Sequence, residues 1–429
     1  MLDHFALGLP KTVAHAGQLD LGFADNGKVS VQFGGTTSSL ATNMTVDRSG
    51  RILVAAKVKT AHGSRFGLAR LNHDGSPDKS FGSLGCVIGA FEQGHEATAG
   101  KVIELPDGQI LLSGLHYESA DRTLPALALF DQRGRAVAGF GNIGKKVIRL
   151  CGGLSLGLRA PWLPPGVPGL EASDMRVQAD GRILLLANHH FQLSDHVGIL
   201  IRLLPDGSLD SSFNGGGFVM VRRLLKNTWL SCLALQADGN ILVGGAIDLP
   251  QQGLMARYDP SGKLDDSFGD NGFLSITTQE RSVMISQIVQ HGNGDLQAFG
   301  SSRDPMQCLS LKVRLDGKPD PDFNQGQCRL TQIGRSASQW TAAQILSDGK
   351  LVTAGATIGG IEADFVLARH LPEGNLDPFF GQGRGWTRTR LGYSLDTATT
   401  LAVQADGKIL LGGYSLHGTY KAVVARYWA

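Results

Sequence analysis

The segment HHFQLSDH places three imidazoles and a carboxylate, His189, His190, Asp195 and His196, within eight residues. Imidazole and carboxylate groups converging on one point are what a transition metal requires, and they are also the usual groups of general acid–base chemistry. His62, His95, His116 and His417 are read as lying in comparable connecting segments, so that seven of the 12 histidines gather there. Against a metal stands the geometry of an extended chain, in which adjacent side chains point to opposite sides, and no second ligand pair is fixed by spacing. The expected reading is solvated loop histidines. No metal and no catalytic residue is assigned, and His116, His189 and His190 are kept as candidate ligand-binding residues.

A second candidate is CGGLSLGLRAPWLPPGVPGLEASD, Cys151 to Asp174, with four prolines and Trp162 among leucines. Proline stiffens a loop and lowers the entropy lost when a partner orders it. Arg159, Trp162 and Leu163 are therefore taken as contact residues on an apolar loop, the alternative being a plug packed on its neighbours. Other motifs fall away. DPSGKLDDSFGD, residues 259–270, lacks the alternating acids and terminal Glu of a calcium loop, and no P-loop, HExxH or CxxC is present. Trp229 and Trp340 each open a predicted strand, which favours core or rim packing over stacking platforms.

The elements that must hold these residues follow from an internal repeat. A turn glycine recurs at Gly50, Gly108, Gly181, Gly239, Gly294, Gly349 and Gly407, in steps of 55 to 58 residues with one of 73. Each sits between alternating apolar runs, as in LQADGNILVGG and VQADGKILLGG, the strongest short-range hairpin signal. A second turn follows at Gly75, Gly134, Gly207, Gly262, Gly317 and Gly374, with a phenylalanine six residues on: Phe81, Phe140, Phe213, Phe268, Phe323 and Phe380. An Asp at plus three (Asp78, Asp210, Asp265, Asp320, Asp377) is matched by an Arg in the preceding strand (Arg70, Arg202, Arg257, Arg314, Arg369, Arg426). The second unit has Leu129 and Val137 instead, and losing both together suggests that the two residues form a pair.

The seventh unit stops at VVARYWA before its second turn, while AGQLDLGFADNGKVSVQFG, residues 16–34, carries Gly17, Asp20 and Phe23 in that register. The expected fold is thus all-β: a seven-bladed β-propeller of four-stranded antiparallel blades, closed by the N-terminal strand completing the last blade, which leaves only short edges. The whole chain is read as one domain, with blades starting near 40, 98, 172, 229, 283, 339 and 396, residues 16–34 completing the seventh, and an insertion at 151–173. Units of the form LQADGKILVGG…ARYxxDGSLDxxFGxxG resemble the delta-60 repeat family of bacterial proteins. The resemblance covers nearly the whole chain, is specific for the repeated unit, and implies no shared catalytic residues.

Composition excludes some classes. Lys+Arg 40 against Asp+Glu 38 gives no reason to expect nucleic acid. No apolar run approaches a membrane span, and MLDHFALGLPKTVAHAG lacks the pattern of a signal peptide. A cytoplasmic location is the default expectation, with export by a non-classical route left open. The five scattered cysteines read as buried thiols, with a Cys308–Cys328 disulfide as the weaker alternative. In a propeller the a–b and c–d turns share one face and the b–c loops and d–a connections the other. The first face is explained by folding, so function is expected on the second. The expected function is a non-catalytic, monomeric binding or scaffold module, without cofactor, recognising a protein or other ligand there. The alternatives are a lyase or hydrolase with a His/carboxylate site at the channel mouth, and a multivalent carbohydrate-binding ring.

Overall fold

A computed structural model describes residues 15–429 except 120–121, 151–173, 193–194, 224–225, 248–250, 279–281, 304, 360–362 and 393–394, and only the backbone of 190–192 and 195. Its strands form seven four-stranded antiparallel sheets. Blade 1 comprises β2 (Thr36–Val46), β3 (Ile52–Thr60), β4 (Gly63–Leu71) and β5 (Cys86–Gly89), in that order from strand a to strand d. Blade 2 comprises β6 (Glu96–Glu104), β7 (Ile110–Tyr117), β8 (Thr123–Phe130) and β9 (Lys145–Val147). Blade 3 runs from β10 (Met175–Val177) through β11 (Ile183–Gln192) and β12 (Asp195–Leu203) to β13 (Phe218–Val221). Blades 4, 5 and 6 run from β14 (Thr228–Leu235) to β17 (Phe273–Ile276), from β18 (Val283–Gln290) to β21 (Arg329–Thr331), and from β22 (Ala337–Ile345) to β25 (Trp386–Thr389).

The seventh blade joins the chain's two ends. β26 (Asp396–Val403), β27 (Ile409–His417) and β28 (Thr419–Tyr427) are completed by β1 (Lys28–Ser30). Lys28 pairs with Ala425, Val29 with Val424 and Ser30 with Val423. Beyond the ladder, the Asp20 amide donates to the Arg426 carbonyl at 2.8 Å and the Gly17 amide to the Trp428 carbonyl at 2.8 Å. Closure satisfies the outer edge of β28 that an open sheet would leave for aggregation.

The repeated residues prove to be a joint between blades. At the c–d turn Gly262 has φ +88°, and a Cβ there would stand 2.8 Å from the ring of Phe213 in the preceding blade. Phe213 is fully buried beneath it. The same glycine-over-phenylalanine contact joins Gly75 to Phe23, Gly134 to Phe81, Gly207 to Phe140, Gly317 to Phe268, Gly374 to Phe323 and Gly17 to Phe380. Any side chain at the turn would collide with the ring that seals the seam, so both residue types recur together.

The Arg and Asp form the second half of the joint. Nε of Arg70, Arg202, Arg257, Arg369 and Arg426 donates to Asp78, Asp210, Asp265, Asp377 and Asp20 at 2.7–2.8 Å. Each guanidinium lies 4.5–4.9 Å from the centroid of its blade's repeated Phe. Arg257 and Arg426 also donate to carbonyls of the next blade, Leu315 and His73, each at 2.6 Å. Arg314 does not belong to this set. It lies in the turn, 3.7 Å from Asp316, and Lys312 pairs with Asp320 at 3.0 Å. The pairing position is five residues before the turn glycine, which is 312 in blade 5. In blade 2, Leu129 and Val137 keep the backbone contact, with the Val137 amide donating to the Leu129 carbonyl at 2.9 Å, and both join one apolar cluster.

The innermost strands lock the ring from within. β-Bulges interrupt them, as between Ala398 and Thr400 and between Trp340 and Ala342. The bulged Thr399 and Thr341 hydroxyls donate to Ala41 and Ala398 of the next blade at 2.8 and 2.9 Å. Between blades 2 and 3 an ion pair takes this place, Lys101 with Asp174, whose other oxygen accepts the Leu233 amide of blade 4 at 2.8 Å. Burial outweighs the carboxylate and pulls the Lys101 ammonium down to about 8.

The apolar clusters lie at the seams, with Phe66 of blade 1 and Phe130 of blade 2 in one of them. Cys86, Cys232, Cys308 and Cys328 are free thiols, so Cys308 and Cys328 are not bonded to each other. No helix among the described residues is long and apolar enough to cross a membrane.

Candidate functional site

On the face of the b–c hairpins and d–a connections, the chain passes from β5 to β6 through Phe91, Glu92 and His95. Buried Phe91 pins this connection, its ring 5.1 Å from Phe66. The β6–β7 ladder pairs Glu96 with Tyr117 and Ala97 with His116. His95 therefore stands beside the end of β7, its ring centroid 4.8 Å from that of His116. His95 Nδ1 lies 3.3 Å from the Tyr117 carbonyl oxygen. A carbonyl only accepts, so this contact is a hydrogen bond when Nδ1 carries the proton, which leaves Nε2 as a lone-pair donor.

His116 is wholly buried, and neither ring nitrogen makes a hydrogen bond. Glu92 Oε2 is 3.4 Å from its Nε2. Ligating atoms of Glu92, His95 and His116 all lie within 4.8 Å of one another, the one such group of three among the described residues. Arg149, just beyond β9, forks onto both Glu92 oxygens at 3.1 Å and reaches Glu118 at 3.0 Å. Arg122 holds the other Glu118 oxygen at 2.8 Å.

Protonation follows from these contacts. Burial lowers the His116 pKa against the pull of Glu92, so the ring is neutral at neutral pH. The Arg149 hydrogen bonds hold the Glu92 carboxyl below its usual range, despite partial burial. A neutral imidazole and an ionised carboxylate thus face each other 3.4 Å apart. That pair can accept or donate a proton or donate lone pairs to a cation, and Arg149 presents a planar fork to a carboxylate or phosphate.

Of the residues singled out from sequence, His116 joins this group. His189 is buried on β11 and His196 on β12, so these histidines lie on the two strands of one hairpin rather than in a solvated loop, with His190 paired to His196 across it. The His196 ring stacks on Trp229 of blade 4, centroids 3.9 Å apart, while Trp340 is buried in its seam. Neither His189 nor His196 enters a three-ligand group among the described residues. The His190 side chain and Arg159, Trp162 and Leu163 lie outside the described residues. Sequence reasoning missed Glu92. Its signal was the spacing in FEQGHE, residues 91–96, and only the register of β6 against β7 carries that pair to His116.

The structure is thus a seven-bladed propeller in which Glu92, His95 and His116, the one group of three such ligands among the described residues, meet where the blade 1 to blade 2 connection lies against β7. Residues 48–81, 178–213, 236–268, 346–380 and 404–429 match the family model "Domain of unknown function (DUF5122) beta-propeller". The first four segments end on Phe81, Phe213, Phe268 and Phe380. The matched segments fall in blades 1, 3, 4, 6 and 7. Blades 2 and 5, without a match, are the two whose Arg–Asp joint departs from the pattern.

No curated protein matches the chain. Among solved structures it is similar to a protein of unknown function from Dyadobacter fermentans, at TM-score 0.47 and 11% identity over 93% of this chain and 97% of that one. It is also similar to polysaccharide lyase Uly1, at TM-score 0.48 and 13% identity over 94% and 92%. A third is the Hadza microbial sialidase Hz136, at TM-score 0.45 and 10% identity over 88% and 73%. None of the three bears on what this chain binds.

Proposed function

We propose that the chain acts as a single binding module of the delta-60 repeat type, taking its ligand or partner on the face of the b–c hairpins and d–a connections. The supporting observation is the group formed by Glu92, His95, His116 and Arg149. The opposite face is occupied by the repeated turns, whose c–d glycines and phenylalanines are used in joining blades, with the Arg–Asp pairs beside them. This group belongs to no repeat, and Arg149 sits two residues before the 151–173 insertion in sequence. Arg159, Trp162 and Leu163 are the insertion's contact residues in this reading, and the ring works as a monomer. The test compares capture of a partner from the native cell by the full chain, by a variant lacking residues 160–169, and by Arg149→Ala. Both changes should abolish capture with little effect on the melting temperature, and three identical lanes would overturn the proposal.

A second reading is an enzyme, a lyase or hydrolase, because the His116–Glu92 pair has the composition of an acid–base site. It requires turnover of a substrate that is lost in Glu92→Gln, whereas binding alone requires saturation without product.

A further inference from the structure

We propose that Glu92 Oε2, His95 Nε2 and His116 Nε2 form a binding site for a divalent transition ion of the zinc type, with a fourth position open to an outside ligand. The donor set, two imidazoles and one carboxylate, is the three-ligand pattern of sites that keep an exchangeable position, and the borderline-soft nitrogens favour zinc-like ions over calcium or magnesium.

Three observations carry the proposal. The first is His116, a buried imidazole with no hydrogen bond at either nitrogen. Such a group is costly unless something occupies its lone pair. The second is geometry. Tetrahedral zinc with bonds of about 2.0–2.1 Å sets its ligands about 3.3 Å apart. His116 Nε2 and Glu92 Oε2 are already at 3.4 Å, and the widest separation in the group is 4.8 Å. Closing 4.8 Å to about 3.3 Å is a movement of about 1.5 Å, within reach of small side-chain rotations in a group of which Glu92 and His95 sit on a connection.

The third is the surrounding support. The Tyr117 carbonyl orients His95 through Nδ1, as outer partners orient metal-bound histidines. Arg149 competes for Glu92 but has a second carboxylate, Glu118, at 3.0 Å. It can keep Glu118 while Glu92 Oε2 turns to the ion. Arg149 then lies beside the open position, where it would pair with an anionic ligand bound to the metal.

The experiment uses the full chain, stripped of metal and free of any purification tag, titrated with zinc alone by calorimetry and by competition with a chromogenic chelator. One equivalent should bind. His95→Ala, Glu92→Gln and His116→Ala should each weaken binding by about tenfold or more, on the order expected for losing a ligand or its support. His189→Ala should leave it unchanged, and Arg149→Ala should tighten it by freeing Glu92. Cobalt in place of zinc should give the intense visible absorption of four-coordination, lost in the same variants. His95→Ala keeps the test decisive should the buried His116→Ala fail to fold. Absence of binding, or affinity unchanged in His95→Ala and Glu92→Gln, would overturn the site. The outcome is separable from the binding-module reading: a chain that binds zinc but captures no partner would sink that reading and leave this one.

Discussion

The most searching test of the joint between blades is to give blade 4 the residues that blade 2 already has. Arg257 and Asp265 pair at 2.7 Å with side chains 9% and 20% exposed. Arg257→Leu leaves a carboxylate held by the Ser267 hydroxyl at 2.6 Å and amide at 3.1 Å. Asp265→Val leaves a nearly buried guanidinium with only Ser267, the Leu315 carbonyl and the Phe268 ring. Breaking a fully buried pair costs about 3–5 kcal/mol. With the partial exposure of Asp265, each single change should cost about 2–4 kcal/mol. The double variant recreates the Leu129/Val137 arrangement. Replacing both partners by apolar groups is nearly neutral, so it should cost only about 1 kcal/mol. Chemical unfolding followed by near-UV circular dichroism reads this directly, provided the slope with denaturant is unchanged. The double variant should recover at least about 2 kcal/mol relative to the sum of the singles. Additivity of the two losses would refute the pair, and blade 2 would then have lost Arg and Asp independently.

Phe268→Ala should cost about 3–5 kcal/mol, because the ring is fully buried at the seam under Gly317, and a loss below about 1 kcal/mol in the same assay would contradict that role. Removing residues 1–34 should strip β1 from β28 and drive the protein to aggregate, and a soluble, monodisperse truncation on size exclusion would contradict closure by the N-terminus. For Asp20, Asp78, Asp210 and Asp265, burial alone would raise the carboxyl, but hydrogen bonds and the paired cations hold each below the usual range. A carboxyl depressed in the folded state stabilises above its unfolded pKa and loses that contribution as pH falls through the folded value. Stability should therefore drop below about pH 4, more steeply in the wild type than in the double variant carrying Arg257→Leu and Asp265→Val. Equal pH profiles would count against the ion pairs.

Much of the fold was legible because each joint is written in residues of fixed spacing. The turn glycine, the phenylalanine six residues on and the Arg–Asp pair recur since every seam poses the same packing problem. The N-terminal Gly17, Asp20 and Phe23 show that the last seam is filled by the chain's other end. Arg314 shows the limit: an arginine near the expected place was taken for the pair, when position 312, occupied by lysine, faces the aspartate. The candidate site was half legible. His95 and His116 were noticed as histidines on one face, but nothing in a linear reading ties Glu92 to His116, 24 residues later.

Period and residue type together fixed seven blades, their order and their closure, because those depend on local turns and on contacts repeated at every seam. Which ionisable groups meet was decided only in three dimensions. The register of β6 on β7 and the path of the β5–β6 connection bring Glu92, His95 and His116 within 4.8 Å. Of the more conspicuous HHFQLSDH, the described histidines His189 and His196 join no such group. A site that occurs once has no repeat to announce it, and proximity across strands is a property of the folded sheet alone.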